Sequence, residues 1–155
     1  MPDELIVILT AMTPVGELRA AVPLAMLTYD MWWLKAFALS VAGNLVFAPF
    51  VLLGLRILGE RIERQEHIVG RLLRWRARRI EEQWGERIRR YGFSGIVLLV
   101  AIPLPLTGAW TGTLAVWALG VPARRGLPAI AVGVAIAGTI VTSMTAAGLE
   151  LARSW

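Results

Sequence analysis

The chain has 155 residues, of which 57% are apolar, a formal net charge of +5 and no cysteine. The length fits one domain, and the lack of cysteine excludes disulfides and thiolate metal sites. The apolar share exceeds the roughly 45–50% of soluble domains, and the excess is gathered into long runs that suit a bilayer. Arginine supplies most of the charge: there are fifteen against one lysine, Lys35, and ten of them fall between Arg61 and Arg90. A nucleic-acid binder would interleave basic and base-reading residues on a soluble scaffold. Here the arginines bunch between apolar halves, which is how topology is controlled, so no nucleic-acid partner is expected. The acidic start, Met1-Pro2-Asp3-Glu4, lacks the basic n-region of a signal peptide.

Leu5 to Thr13 is apolar but gives a helix only about 14 Å long, half of a ~30 Å hydrocarbon core. Pro14 and Gly16 break it. Leu18 to Tyr29 is again too short to cross, and Pro23 should kink it. Two half-length helices joined at such a break predict a re-entrant hairpin, tolerated at depth only beside protein or a watery cavity. Tyr29-Asp30-Met31-Trp32-Trp33 reads as an interfacial belt. Leu34 to Leu58 follows as a full span with Asn44 near its middle.

Glu60 to Tyr91 is polar. Ile62, Val69, Leu73, Ala77, Ile80, Trp84, Ile88 and Tyr91 recur at helical spacing, and arginines and glutamates cover the rest. This predicts an amphipathic helical linker, broken near Gly70 or Gly85. It either lies on anionic lipid headgroups or packs on a partner helix, the membrane surface being the favoured reading. His67 reads as a solvated residue within it. Phe93 to Leu104 is a second half-length stretch ending in Pro103 and Pro105, and Thr107 to Val121 returns. After the basic turn at Arg124 and Arg125, Leu127 to Leu149 forms a second span rich in small and hydroxylic residues.

The halves match in kind. An offset of 91 places Leu5 on Ile96, Pro14 on Pro105 and Gly16 on Thr107; past the turns an offset of 95 places Ala42-Gly43-Asn44 on Ala137-Gly138-Thr139. The expected fold is therefore an all-α integral membrane protein of one domain. Its two inverted repeats, residues 1–59 and 93–155, are joined by the linker 60–92, and each is a re-entrant hairpin plus a transmembrane helix. Charge agrees: if both breaks turn back, the linker and the Arg124-Arg125 turn share one face, cytoplasmic by the positive-inside rule, and Asp30 lies on the other.

Glu17 and Arg19 are the only charges within the first apolar block, and an intramembrane charge is a functional candidate by default. Removal from water favours the neutral form of a carboxyl, whereas a neighbouring cation favours the charged one, so such a group is suited to carrying a proton. Alternatively the two form a static staple. Asn44, Thr107, Trp110 and Thr111 are candidate substrate contacts. Pro14, Gly16, Pro23, Pro103, Pro105, Gly108 and Gly112 shape the hairpins. The broken helix ends leave backbone groups free, and a half-helix N-terminus favours an anion. No nucleophile–base set, P-loop or metal spacing appears, so neither an enzyme nor a cofactor or metal is expected.

The stretch Pro14 to Leu24, with its Glu-Leu-Arg-Ala-Ala-Val-Pro core, and Ile102-Pro103-Leu104-Pro105-Leu106-Thr107-Gly108-Ala109-Trp110-Thr111-Gly112 resemble the small multi-drug export protein family of prokaryotic membrane proteins. That resemblance implies export of small molecules. The layout is also distantly similar to the DedA family, which implies lipid or lipid-carrier movement, although the second break lacks an arginine. The expected activity is a small exporter in the cell membrane, working as a homodimer on a small-molecule or lipid cargo; Glu17 either carries a coupled proton or engages a cationic substrate, and Arg19 either tunes Glu17 or binds an anionic group. A flippase or scramblase and a non-transporting membrane scaffold are the alternatives.

Overall fold

The computed structural model describes residues 2–103 and 107–155; Pro105, assigned above to the second break, lies outside them. The elements in chain order are α1 (Asp3–Met12), α2 (Glu17–Pro23), a π-helical turn (Leu24–Thr28), α3 (Trp33–Arg64), α4 (Ile68–Tyr91), α5 (Phe93–Ala101), α6 (Ala109–Ala118) and α7 (Ala123–Arg153). No strand occurs among the described residues.

α3 and α7, of 32 and 31 residues, are long and apolar enough to cross a bilayer, with mean hydropathies of 2.1 and 1.9 over their most apolar windows. Only 33% and 39% of those windows is buried within the chain. A core helix of a soluble protein would be covered. On α3, the exposed side chains Val46, Phe50, Leu53 and Ile57 recur at intervals of three and four, forming one outward apolar stripe.

The two long helices run antiparallel. Trp33, Leu34 and Phe37 near the start of α3 face Thr142, Ser143 and Ala146 towards the end of α7. At the other end, Gly59 packs under the Trp117 ring, and Arg56 donates to the Val121 carbonyl at 3.2 Å. α1 lies parallel to α3: Lys35 pairs with Glu4 at 2.7 Å, and a Cβ on Gly43 would come within 2.9 Å of the Ile8 carbonyl. The chain thus descends through α1, turns, and returns through α2 to the end where α3 begins. α6 likewise runs antiparallel to α7, with Gly126 against Val116 and Gly112 against Ile130.

The packing survives an exchange of halves. α1 lies on α3 as α5 lies on α7, and α2 touches α7 as α6 touches α3. Gly43 meets Ile8 and Ala11 on α1; Gly133 meets Val97 and Val100 on α5. These two crossings are ninety residues apart, whereas the sequence offset of 95 set Gly43 beside Gly138. Gly138 instead marks where α7 crosses Phe37, Val41 and Leu18. The sequence offset aligned two similar tripeptides whose packing partners differ.

Pro23 lacks the donor for an α-helical bond. The expected kink takes the form of a π-turn, in which Tyr29 N–H reaches the Leu24 carbonyl at 3.3 Å and Met31 N–H reaches Ala25 at 2.9 Å. The basic linker also departs from its prediction. α3 continues to Arg64, the chain turns at Gln65-Glu66-His67, and Gly70 and Gly85 both lie inside α4. Gly70 faces the carbonyls of Ile62 and Gln65 with no room for a Cβ, so it serves a close crossing and not a break. Arg74 donates to the Glu63 and Gln65 carbonyls, a cation placed at the C-terminus of α3. α4 turns part of its apolar face, Ile80, Trp84 and Ile88, inwards and packs on α5, while Val69 and Tyr91 stay exposed.

Candidate functional site

The two breaks dock on one another, and the contacts are reciprocal. Glu17 opens α2 and is buried. Its Oε1 accepts the backbone N–H of Trp110 at 3.1 Å. Trp110 is the second residue of α6, so a carboxylate from the first break caps the helix that leaves the second. In return, Trp110 Nε1 donates to the Met12 carbonyl at 3.1 Å, where α1 ends. The Trp110 ring packs on Phe47 of α3, 5.3 Å between centroids.

Arg19 makes the complementary contact. Its Nη2 donates to Thr107 Oγ1 at 2.8 Å and to the Ile102 carbonyl at 3.3 Å. Thr107 Oγ1 donates to the same carbonyl at 2.7 Å. Ile102 terminates α5. The guanidinium therefore sits at a helix C-terminus and the carboxylate at a helix N-terminus, each at the end whose partial charge favours it. Glu17 and Arg19, two residues apart, straddle the opposing break, and each bonds to a different end of it.

The backbone supports this. Glu17 adopts φ +43°, a left-handed conformation costly to a residue with a Cβ, on the order of 1–3 kcal/mol. The neighbouring Gly16 has φ −77° and is glycine for another reason: a Cβ there would stand 2.6 Å from Thr13 Oγ1 and 2.8 Å from the Thr10 carbonyl. Thr13 Oγ1 accepts the Gly16 N–H at 2.9 Å, which ties the turn around exposed Pro14. Across the interface, Gly108 leaves the space that the Glu17 carboxylate fills.

The remaining predicted residues are placed as follows. Asn44 is buried, donates to the Ser40 carbonyl at 3.2 Å within its own helix, and lines a small cavity beside Glu17, Gly108 and Ala137. About 10 Å³ of that cavity admits a water-sized body, on the order of one molecule. Thr111 is buried and lines a separate cavity beneath α4. Thr139 bonds its own helix at Ala135 and does not bridge helices. Gly112 provides close packing against Val100 and Ile130, and Pro103 lines a groove together with Arg19. Sequence reasoning missed the carbonyls of Met12 and Ile102, because any residue supplies a carbonyl.

A family model described as "Putative small multi-drug export protein" matches residues 17–140. The chain belongs to this family. The match begins at Glu17 and takes in Arg19, Ile102, Thr107, Gly108 and Trp110, but not Met12, whose carbonyl accepts the Trp110 indole N–H. Neither the curated proteins nor the solved structures gave a match. Membership and two bilayer-length apolar helices together make this chain a membrane protein.

Proposed function

We propose that the protein is a multi-pass exporter of small molecules in the cell membrane. In this reading α1–α2 and α5–α6 enter the bilayer from opposite faces as re-entrant hairpins, each followed by a spanning helix, so that the halves are inverted repeats. Such repeats with discontinuous helices meeting near the midplane are a recurrent transporter plan. The antiparallel α3 and α7 and the exchange-invariant packing support it. Charge gives the orientation: Arg124, Arg125 and α4 in the cytoplasm, Asp30 outside.

The observation that carries the proposal is the reciprocal capping of the breaks by Glu17 and Arg19. Irregular backbone and two charges would be intolerable against lipid. Here each unmet group is met by the other hairpin, so parting the hairpins must supply replacements: water, a proton or cargo. Glu17 is the proton carrier in this reading, with Arg19 and Arg76 the cations near it. The test is Glu17→Gln in proteoliposomes. Glutamine keeps an oxygen for the Trp110 N–H but cannot ionise, so the fold and its melting temperature should hold while proton-driven flux falls at least ~100-fold. Unchanged proton-driven flux would remove Glu17 from coupling.

A further inference from the structure

The seam between α3 and α7 holds two cavities with a thin wall between them. The inner one is the water-sized cavity beside the interlock; Glu17, Leu18, Asn44 and Ala137 are among its lining residues. The outer one is a groove of 430 Å³ at the end of the molecule that bears Asp30, lined by Trp33, Phe37, Thr142 and Ser143 among others, and it carries no charge among its described lining residues. On α3, Asn44 of the inner cavity and Phe37 of the outer lie about 10 Å apart along the axis; on α7, Ala137 and Thr142 lie about 7.5 Å apart. The wall is the crossing at Gly138. A Cβ there would stand 2.8 Å from the Phe37 ring, 3.0 Å from Val41 and 3.2 Å from Leu18. Leu18 lines the inner cavity and Phe37 the outer one, so a single layer of apolar side chains parts them.

Two hydroxyls flank this layer. Ser40 is fully buried and Thr142 is 5% exposed, and neither Ser40 Oγ nor Thr142 Oγ1 has a hydrogen-bond partner among the described residues. Buried hydroxyls are rarely left so. A helical hydroxyl can bond the carbonyl four residues back, as Thr139 and Thr145 do on the same helix; Ser40 and Thr142 do not. Ser40 is one turn from Asn44, whose amide donates to the Ser40 carbonyl, and one turn from Phe37. Thr142 is one turn from Gly138 and lines the outer groove. We infer that this seam is the route by which Glu17 exchanges a proton with the outer face, with Phe37 and Leu18 as its closure and Ser40 and Thr142 as the hydroxyls that hold a file of water when the layer parts. Each hydroxyl can then give and take a hydrogen bond. A hydronium entering from the groove leaves its proton on the Glu17 carboxylate and stays in the seam as water. Arg19, the other charged group on the inner cavity, opposes a bare metal cation there, whereas the transferred proton ends on a neutral carboxyl. The inference rests on Glu17 as proton carrier and gives that proton a side of entry.

The natural chain has no thiol, so Ser40→Cys in the full chain reports water at that depth. A membrane-impermeant cationic methanethiosulfonate is added to one side at a time of proteoliposomes with fixed protein orientation. With Phe37→Ala, Ser40→Cys should react about tenfold faster than with Phe37 intact, and from the outer side only. Ser40→Ala combined with Thr142→Val removes both hydroxyls and keeps their shape. Its melting temperature should hold or rise, because no bond is lost, while proton-driven flux falls about tenfold. That pair decides the matter even where Phe37→Ala does not fold. Outer-side labelling of Ser40→Cys, with flux indifferent to Glu17→Gln, would keep the water route and overturn Glu17 as its proton acceptor. Flux abolished by Glu17→Gln but unchanged in the double hydroxyl variant would keep Glu17 as carrier and overturn the route. Labelling from the inner side alone, or from neither side with Phe37→Ala folded, would overturn it as well.

Discussion

Gly108 is bare because Glu17 occupies the place of its side chain. Its backbone is extended, a conformation open to any residue, so the constraint is space and not torsion. Gly108→Ala should therefore destabilise the protein by about 1–3 kcal/mol through overlap with the carboxylate. The loss should shrink when Glu17 is also shortened to Ala, and a double-mutant cycle on melting free energies should show that coupling. Glu17→Ala alone should cost about 1–2 kcal/mol, since it removes the cap on α6. Trp110→Phe keeps the ring against Phe47 but loses the bond to the Met12 carbonyl, an effect of about 1 kcal/mol measurable in the same assay.

Between elements, tight crossings at glycine set the register. A Cβ on Gly133 would stand 2.6 Å from the Val100 side chain and 3.0 Å from the Val97 carbonyl. Gly133→Val should push α5 from α7 and cost about 1–3 kcal/mol, read as a lowered melting temperature. Half-helices, breaks and long spans were legible because proline and run length report them directly: Pro14 ends the first arm and Pro103 follows the end of the second. Helix limits moved by a few residues where polar positions continued a helix, as in α3 beyond Leu58. The fold of α4 back onto α5 was not legible, because Ile80, Trp84 and Ile88 make the same stripe whether they meet lipid or protein. Of the site, the charges Glu17 and Arg19 stood out. Thr107, which bonds Arg19, was among the candidates, but the other two partners, the Ile102 carbonyl and the Trp110 backbone N–H, were not legible, because side-chain identity says nothing about them. The left-handed turn at Glu17 was equally hidden, since a residue with a Cβ carries no sign of that conformation.

For the whole molecule, the orientation proposed above is open to a clean measurement, because the natural chain has no thiol. Arg124→Cys should be labelled only from the cytoplasmic side and Asp30→Cys only from outside; external labelling at 124 would refute two returning hairpins. The end bearing Asp30 also holds the Glu4–Lys35 pair. There the Lys35 hydrogen bond holds the Glu4 carboxyl below its ordinary value of 4.5. What this exposed pair contributes is present above that value and fades as pH falls through the lowered one. A further consequence concerns synthesis. Glu17 and Trp110 are 93 residues apart, so the first loop leaves the ribosome roughly 5–20 s before its partner at 5–20 residues per second. For that interval a carboxylate and a guanidinium have no counterpart on the nascent chain. In the topology proposed above, the first arm pair then waits in water or within the insertion machinery and settles into the lipid only when the second arrives, so maturation becomes a late, single event that a ribosome-stalled fragment ending before residue 102 should never reach.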